Sequence, residues 1–518
     1  MWNATPLLRA YAQRRRAVLE AADPAATQAR VLASLLRRAR DTRFGEAFGF
    51  AGIGDVAAFQ RRVPLLRHED LWRDWWQPRF PRLVDATWPG LIPFFALTSG
   101  TTGARSKRIP VSAAMVRANR RAALDLLTFH LAARPASRIL GGRSFLLGGS
   151  TALGPLAPGV AEGDLSGIAA ATVPPWARRR VFPPPRLALS ADWERKIAAL
   201  APLSLGADVR AFSGTPSWML LFLERLAALH PERGARLAAF YPALELLVHG
   251  GVGWAPYRAR FAAWLEGGGA ETREVYPASE GFLAAADRGP DEGLRLILDN
   301  GIFFEFVRPG AVADANPDRR WINDAEEGRD YALVLSTNAG LWSYVLGDVV
   351  RLLSRRPPRI AVRGRLAQDL SVFGEHLAAA ELDAAIAAAA RALGGAVRDY
   401  AACARFPAAD RARGGHLFLV EWEAGPGAGC PEPARFAALL DAALAAGNED
   451  YATHRAGDYG LAAPEVRLAP PGFFAAWLAG RGRLGGQNKV PRVLADADLA
   501  ADLERFLARF PGAPAAGG

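Results

Sequence analysis

The chain has 518 residues, a formal net charge of +11 at pH 7 and 22% charged residues. That length is enough for two or three domains with separate cores, and the composition is that of a globular protein. The two cysteines, Cys403 and Cys430, exclude a disulfide framework and a paired-cysteine metal site. We expect a soluble cytoplasmic protein, because no apolar run reaches membrane-spanning length and no apolar signal core follows the N-terminal arginines.

The positive charge does not indicate a nucleic-acid-binding protein, because arginines are scattered among acidic residues without a dense basic tail or an aromatic–basic signature. The lysines are more informative, since there are only three: Lys107, Lys196 and Lys489. In an arginine-rich chain, a retained lysine indicates a position that needs a compact ammonium group. Lys196 is an exception to this inference, because it lies in the helical segment ADWERKIAAL, which predicts a solvated helix face.

Taken in chain order, the elements predict an α/β protein. Residues 1–90 favour helices with tryptophan-rich connections, and short apolar strands then alternate with helices. Residues 287–352 are strand-rich and predict a β subdomain, after which an alanine-rich helix, a strand and another helix predict a smaller α+β domain. We therefore expect a large N-terminal domain at residues 1–365 and a C-terminal domain at residues 366–518.

The segment 97-LTSGTTGARSKRIP-110 predicts an anion-binding loop. Small residues from Ser99 to Gly103 allow backbone N–H groups to form a concave nest for phosphate oxygens, and Lys107 adds positive charge. A Walker A loop is excluded, because Pro110 holds the preceding residue extended and the next helix starts only at its predicted N-cap, Ser112. A flexible surface loop is the alternative explanation of the same composition.

Three further segments carry candidate site residues. In 275-VYPASEGF-282, Tyr276 at a strand end can stack on a flat base, and Glu280 can hold Mg²⁺ beside phosphates; the alternative is a core tyrosine and a surface glutamate. In 340-GLWSYVLGDVVRL-352, Asp348 can accept hydrogen bonds from a ribose diol or form an Asx turn. The paired glycines of 248-VHGGVGWAPY-257 suit close approach of a nucleotide, or simply a tight turn.

In this order, the segments resemble the adenylate-forming superfamily, and more closely its auxin-responsive promoter family of acyl-acid amido synthetases, with a bacterial-type member expected. TSGTTGARSK is similar to the family's phosphate motif and keeps its length, where acyl-CoA ligases usually have one residue fewer. Tyr276 through Glu280 is similar to the family's Tyr-x-x-Ser-Glu motif, and 342-WSYVLGD-348 to its strand ending in Gly-Asp. The resemblance runs from about residue 60 to residue 494.

The resemblance implies an ATP-dependent ligase that adenylates a carboxylic acid and transfers the acyl group to an amine, with an amino acid as the expected acceptor. It implies a large ATP- and acyl-binding domain and a mobile C-terminal domain, and it implies neither a nucleic-acid nor a membrane partner. Glu280 would bind Mg²⁺, and Lys107 and Lys489 would act in catalysis. The implied ATP-binding residues are Thr98, Ser99, Gly100, Thr101, Thr102, Gly103, Lys107, Gly251, Tyr276, Ser279, Asp348 and Arg365.

Some positions depart from the family pattern. Ser343 and Val345 stand where many plant members have arginines, and His376 stands where a lysine is common. The alternatives are an acyl-CoA ligase that forms a thioester and a catalytically inactive nucleotide-binding homologue. The candidate catalytic and metal-binding residues are intact, which argues against the second alternative.

Overall fold

The computed structural model describes residues 2–98, 107–148, 152–184, 187, 193–251, 254, 257–289, 292–366, 370, 377, 379–405, 414–424, 429–448, 451–452, 455, 461–481, 489–494 and 497–511. Helices and strands alternate over most of these residues, which confirms the predicted α/β class. No helix in these ranges is long and apolar enough to cross a membrane.

The N-terminal region is helical, as the sequence predicts. Its helices are α1 Thr5–Ala21, α2 Pro24–Ala39, α3 Arg43–Ala47, α4 Val56–Arg62 and α5 His68–Leu71. The side chain of Asp23 accepts a hydrogen bond from the Ala26 backbone N–H and caps α2, which starts with proline. The tryptophans of LWRDWWQPRF serve packing, since Trp76 is fully buried and Trp72 stacks on His68.

A small sheet carries the predicted anion-binding loop. Its strands lie in the order β2-β1-β5-β4, with bounds β1 Phe94–Thr98, β2 Lys107–Val111, β4 Gly154–Ala157 and β5 Val160–Gly163. Ser112 follows β2, and its Oγ accepts a hydrogen bond from the Met115 backbone N–H at 3.0 Å. Helix α6 Ala113–Ala133 therefore begins at the predicted N-cap.

The large sheet has the strand order β13-β12-β14-β15-β16-β11-β10-β9-β8-β7-β3-β6 over the described residues. Strands β6, β3, β7, β8 and β9 pair in parallel, whereas the pairs from β9 to β13 are antiparallel and form the predicted β subdomain. The bounds are β3 Arg143–Leu147, β6 Val181–Phe182, β7 Val209–Gly214, β8 Leu246–Gly250, β9 Glu271–Ala278, β10 Gly281–Ala285, β11 Leu294–Leu296, β12 Ile302–Val307, β13 Arg319–Trp321, β14 Asp330–Thr337, β15 Tyr344–Arg355 and β16 Pro358–Arg365.

Helices cover both faces of the parallel strand β8, which explains why it is apolar at consecutive positions from Leu246 to Val248. In β8, Leu246 and Val248 pack in a cluster with residues of α1 and α6, whereas Leu247 points to the opposite face. That opposite face packs against helices between the parallel strands. The α-helices whose bounds the structure describes between β5 and β9 are α7 Leu165–Ala171, α8 Trp193–Leu205, α9 Pro216–Leu229, α10 Leu237–Phe240 and α11 Arg258–Leu265.

The C-terminal region has its own small sheet, in the order β19-β18-β17-β20. Its hydrophobic clusters draw only on residues from Leu370 onward, whereas the clusters of the preceding region end at Ile360. The predicted boundary at residues 365 and 366 lies between these cores and stays a prediction. The elements are α12 Ala379–Ala392, β17 Gly395–Arg405, β18 Gly415–Ala424, α13 Pro433–Gly447, β19 Glu465–Ala469, α14 Phe473–Gly480, β20 Val493–Leu494 and α15 Ala497–Arg509.

Candidate functional site

One edge of the large sheet brings several predicted residues together. The parallel strands β3, β7, β8 and β9 end at this edge, because the carboxyl ends of parallel neighbours lie side by side. Gly251 directly follows β8, and Ser279 and Glu280 directly follow β9. This edge is where an open α/β sheet ordinarily binds its ligand.

Gly251 lies in contact with a lysine from the C-terminal region. The Lys489 Nζ donates a hydrogen bond to the Gly251 carbonyl oxygen. Gly251 has a φ of +85°, and a Cβ built on it would lie 3.2 Å from the Lys489 Nζ and 3.9 Å from the Thr215 Oγ1. Glycine is therefore needed here both for the backbone conformation and for the close approach of the ammonium group.

Ser279 and Glu280 form the tip of the hairpin between β9 and β10, since Ala278 pairs with Gly281. Their relative exposures are 8% and 7%, so the interpretation of Glu280 as a surface glutamate is wrong. The described residues contain no group of three or more His, Cys, Asp or Glu that could hold a metal ion. A single carboxylate nevertheless fits Mg²⁺, which takes one or two carboxylates and completes its shell with water and phosphate oxygens.

Tyr276 and Asp348 are brought into direct contact. The phenol of Tyr276 in β9 donates a hydrogen bond to the Asp348 Oδ2 in β15. Asp348 follows Gly347, which has a φ of +88°, and it pairs with the backbone of Arg365 in β16. Tyr276, Asp348 and Arg365, which are all predicted to bind ATP, thus form one cluster. Arg365 enters that cluster through its backbone.

Lys107 lies at the base of the predicted phosphate loop. Thr98 and Lys107 are directly paired across β1 and β2, so these two residues lie side by side. Ser99, Gly100, Thr101, Thr102 and Gly103 lie outside the described residues. The Lys107 Nζ lies 3.0 Å from the Glu69 Oε1, and the Lys107 side chain is 38% exposed. Partial burial opposes ionisation of Glu69, but the hydrogen bond and charge of Lys107 outweigh it and lower the pKa of that carboxyl.

The interpretation of Lys196 as a residue of a solvated helix face is wrong. Lys196 is 3% exposed, and its Nζ donates a hydrogen bond of 3.0 Å to the carbonyl oxygen of Gly148, just beyond β3. Burial lowers the pKa of Lys196 to about 8, and the charge of Asp164 only partly opposes that shift. The lysine therefore supports the same strand edge as the candidate site. The sequence feature that indicates such a position is the retention of a lysine in an arginine-rich chain.

His249 is a site neighbour that the sequence patterns did not identify. Its ring is buried in β8 and stacks on Trp254, with the ring centroids 3.6 Å apart. Burial, followed by the charge of Arg258, lowers the pKa of His249 to about 3. The neutral ring therefore packs beside the strand end that leads to Gly251.

The structure accounts for one departure from the family pattern. Ser343 is fully buried with a φ of +42°, and its Oγ accepts a hydrogen bond of 2.6 Å from the Arg319 Nη2. Arg319 also pairs with Glu305, which has no exposure. The serine at 343 therefore completes a buried ion-pair network. His376 lies outside the described residues.

The fold is that of known adenylate-forming enzymes. The chain superposes on the GH3.15 acyl acid amido synthetase with a TM-score of 0.75, at 19% identity, covering 92% of this chain and 93% of that one. It superposes on AtGH3.15 in complex with 2,4-DB with a TM-score of 0.77, at 18% identity, covering 94% and 95% of the two chains. For a 2-hydroxyisobutyryl-CoA ligase in its postadenylation state, the TM-score is 0.61 at 18% identity, over 92% and 90% of the chains.

Two of the curated relatives come from rice, Oryza sativa subsp. japonica. The probable indole-3-acetic acid-amido synthetase GH3.4 is 32% identical over 39% of this chain and 34% of its own length. The probable indole-3-acetic acid-amido synthetase GH3.9 is 31% identical over 42% of this chain and 52% of its own length. The match thus spans about a third to a half of these relatives. The expected bacterial-type character of the chain stays a prediction.

Family models match the chain in three places. The GH3 family N-terminal domain matches residues 14–147, the central domain residues 295–365 and the C-terminal domain residues 380–498. Together the three models cover more than half of the chain, in the order in which the motifs occur. The resemblance inferred from those motifs is therefore confirmed, and the chain belongs to the GH3 family.

Proposed function

We propose that the chain is an ATP-dependent acyl-acid amido synthetase. A carboxylate oxygen of the acid attacks the α-phosphorus of ATP, which forms an acyl-adenylate and releases pyrophosphate. The nitrogen of an amine, with an amino acid as the expected acceptor, then attacks the acyl carbon, forms the amide bond and releases AMP. One observation carries the proposal: the Lys489 ammonium group meets Gly251 at the sheet edge where Glu280 ends the β9 hairpin.

In the proposed ATP site, separate residues bind the adenine, the ribose and the phosphates. Tyr276 faces the adenine, and Asp348 accepts hydrogen bonds from the ribose hydroxyls. The loop from Thr98 to Gly103 binds the phosphates through its backbone N–H groups and hydroxyls. Support comes from the Tyr276–Asp348 contact and from the pairing of Thr98 with Lys107 beneath that loop.

The charges of the site suit phosphoryl chemistry, in which catalysis depends on positioning and on stabilising negative charge. Glu280 would hold Mg²⁺, which supplies positive charge to the phosphate oxygens when bound. Lys107 would exchange its ion pair with Glu69 for a phosphate oxygen. Lys489 would stabilise charge on the α-phosphate and the attacking carboxylate, because its ammonium group already lies at the sheet edge.

The two-step reaction also suits the proposed division into residues 1–365 and 366–518. Lys489 belongs to the second part, so its contact with Gly251 is made across the proposed boundary. A rotation near Arg365 would withdraw this lysine after adenylation and open the site to the amine. The backbone of Arg365 lies beside Asp348, so the proposed hinge adjoins the ribose position.

The acceptor decides between amide and thioester formation, since both reactions share the adenylate step. The test is AMP release from the full chain with ATP, Mg²⁺ and a panel of carboxylic acids, with either amino acids or coenzyme A as acceptor and with products identified by mass. We expect amino acids to accelerate AMP release and to yield an amide. An acyl thioester with coenzyme A, without any amide, would overturn the amide assignment and leave the adenylation site intact. Absence of any acid-dependent adenylate would contradict the enzyme assignment itself.

A further inference from the structure

A cavity lies among described residues that the candidate functional site does not use. Its volume is about 360 Å³, and it lies between helices α2 and α6, with residues 299–301 at its floor. Three arginines line it: Arg38 from α2, and Arg117 and Arg121 from α6. Among the described residues, none of the proposed ATP-binding or catalytic residues lines this cavity.

Two of these arginines have no protein partner. The side chains of Arg38 and Arg117 make no hydrogen bond or ion pair with any residue in the described part of the chain. The third arginine, Arg121, donates a hydrogen bond to the carbonyl oxygen of Asp299, and its Nη2 lies 3.5 Å from the Asn300 Oδ1. The cavity therefore presents two guanidinium groups that are available to a ligand.

Asp299, the one carboxylate among the described lining residues, does not neutralise these groups. Asp299 is already bound by Arg15, whose Nη1 and Nη2 lie 2.6 Å and 2.8 Å from its two carboxylate oxygens. Arg15 also forms a bidentate pair with the buried Asp125. Because Asp299 is held in this internal network, the cavity keeps a net positive charge.

The position of the arginines on α6 is unfavourable without an anion. Arg117 and Arg121 are four residues apart, so their like charges face the same side of the helix. A bound anion would offset this repulsion.

The rest of the wall indicates the kind of anion. Val31, Leu35 and Trp88 give the cavity an apolar side. Asn300 and Asn338 supply amide groups at the floor, and both are largely buried. Guanidinium groups favour carboxylates and phosphates, which they can bind through two parallel hydrogen bonds. The chemistry of the lining is therefore amphipathic.

We propose that this cavity is a binding site for a small organic anion, in which Arg38 and Arg117 hold a carboxylate or phosphate group and Leu35 and Trp88 contact its apolar body. The site is distinct from the proposed nucleotide site, and the proposal does not rest on the proposed catalytic function. Its ligand carries at least one negative charge and is small enough for a cavity of about 360 Å³.

The test is calorimetric titration of 1-naphthyl phosphate into the full chain, with AMP at saturation so that the nucleotide site is filled. The acyl-acid site of the proposed enzyme stays open, so binding is assigned to this cavity only where the variants below remove it. We expect one molecule to bind per chain, and we expect uncharged 1-naphthol not to bind. A parallel titration with 1-naphthoate decides between the two anions, because the tighter binder identifies the group that the arginines prefer. No measurable binding of either anion would overturn the proposal.

Matched variants locate the binding. The double variant Arg38→Ala/Arg117→Ala should weaken binding about tenfold or more, because it removes the charge-assisted hydrogen bonds. The control is Arg37→Ala/Arg120→Ala, which removes two arginines that, like Arg38 and Arg117, are exposed and lie on the same helices but do not line the cavity. We expect the control to bind as the unmodified chain does. Equal affinity in both double variants would overturn the assignment to this cavity, and equal melting temperatures would show that both variants fold.

Discussion

The phenol of Tyr276 donates a hydrogen bond to the carboxylate of Asp348, although three strands separate β9 from β15 in the order of the sheet. Neighbouring strands lie about 4.8 Å apart, so a flat sheet would place these two strands about 19 Å from each other. A tyrosine side chain cannot span that distance. The antiparallel half of the sheet must therefore curl back over the ends of the parallel strands, and this curvature closes the proposed nucleotide site.

This contact gives the first prediction. Asp348→Ala should weaken ATP binding, because a site built for hydrogen bonds leaves the ribose hydroxyls unpaired when their acceptor is removed. Tyr276→Phe removes the same protein–protein hydrogen bond but keeps the aromatic face for the base, so ATP affinity should change much less. Titration of ATP into each variant measures both effects. If Asp348→Ala lowers the melting temperature and leaves ATP affinity unchanged, Asp348 only shapes the turn.

The second prediction concerns Lys107. Lys107→Ala should slow acid-dependent pyrophosphate exchange by about two decades or more, since it removes charge stabilisation worth a few kcal/mol in the transition state. The fold should survive, because the side chain is 38% exposed. The matched variant is Glu69→Gln, which removes the charge of the ion-pair partner and keeps the lysine. We expect exchange close to normal in Glu69→Gln. Equal losses in both variants would mean that the ion pair, rather than the lysine, supports activity.

The third prediction separates the two chemical steps at Lys489. Lys489→Ala should slow adenylation, because its ammonium group would stabilise the attacking carboxylate and the α-phosphate. Amide formation from supplied acyl-adenylate should change much less, since the proposed rotation withdraws Lys489 from the site before the amine attacks. Lys489→Arg should not restore adenylation, because the space beside Gly251 admits an ammonium group closely and a guanidinium is broader. Rapid-mixing assays of each step would check this, and equal slowing of both steps would contradict it.

The fourth prediction concerns the pH dependence of stability. Burial lowers the pKa of Lys196 from 10.5 to about 8, so the folded state disfavours its charged form. At pH values between these two pKa values, the unfolded chain carries a proton on Lys196 that the folded chain has lost. The contribution of Lys196 to stability therefore rises as the pH increases through this range. Below about pH 8 the cost of burying the charge is present in full.

The measurement is urea unfolding of the unmodified chain and of Lys196→Met from about pH 7 to about pH 10. The stability of the unmodified chain relative to this variant should increase with pH, by at most about 3 kcal/mol, the free-energy equivalent of the pKa shift. Lys107→Met serves as the control, because its side chain is far more exposed. If the difference in unfolding free energy between the unmodified chain and Lys196→Met does not vary with pH, folding does not change the pKa of this amine.

Local patterns in the sequence were sufficient for the elements and for several site residues. The hydroxyl of Ser112 was expected to cap α6, and it does so because capping depends only on the residues next to it. Tyr276 and Glu280 were expected at the end of a strand, and β9 ends between them. The parallel pairing of β8 and β9, which the motifs do not specify, then places Gly251 and Glu280 at one edge.

Only the tertiary structure decided which distant groups meet. The burial of Lys196 depends on Gly148, which is 48 residues away, and the helical pattern around the lysine carries no information about that contact. The Tyr276–Asp348 hydrogen bond depends on the curvature of the sheet, and the cavity of Arg38 and Arg117 depends on how two helices pack. The sequence by itself determined the family, the strand ends and the residue types of the site. Packing determined their partners, because a contact between remote segments is fixed by the assembled fold and not by the residues on either side of it.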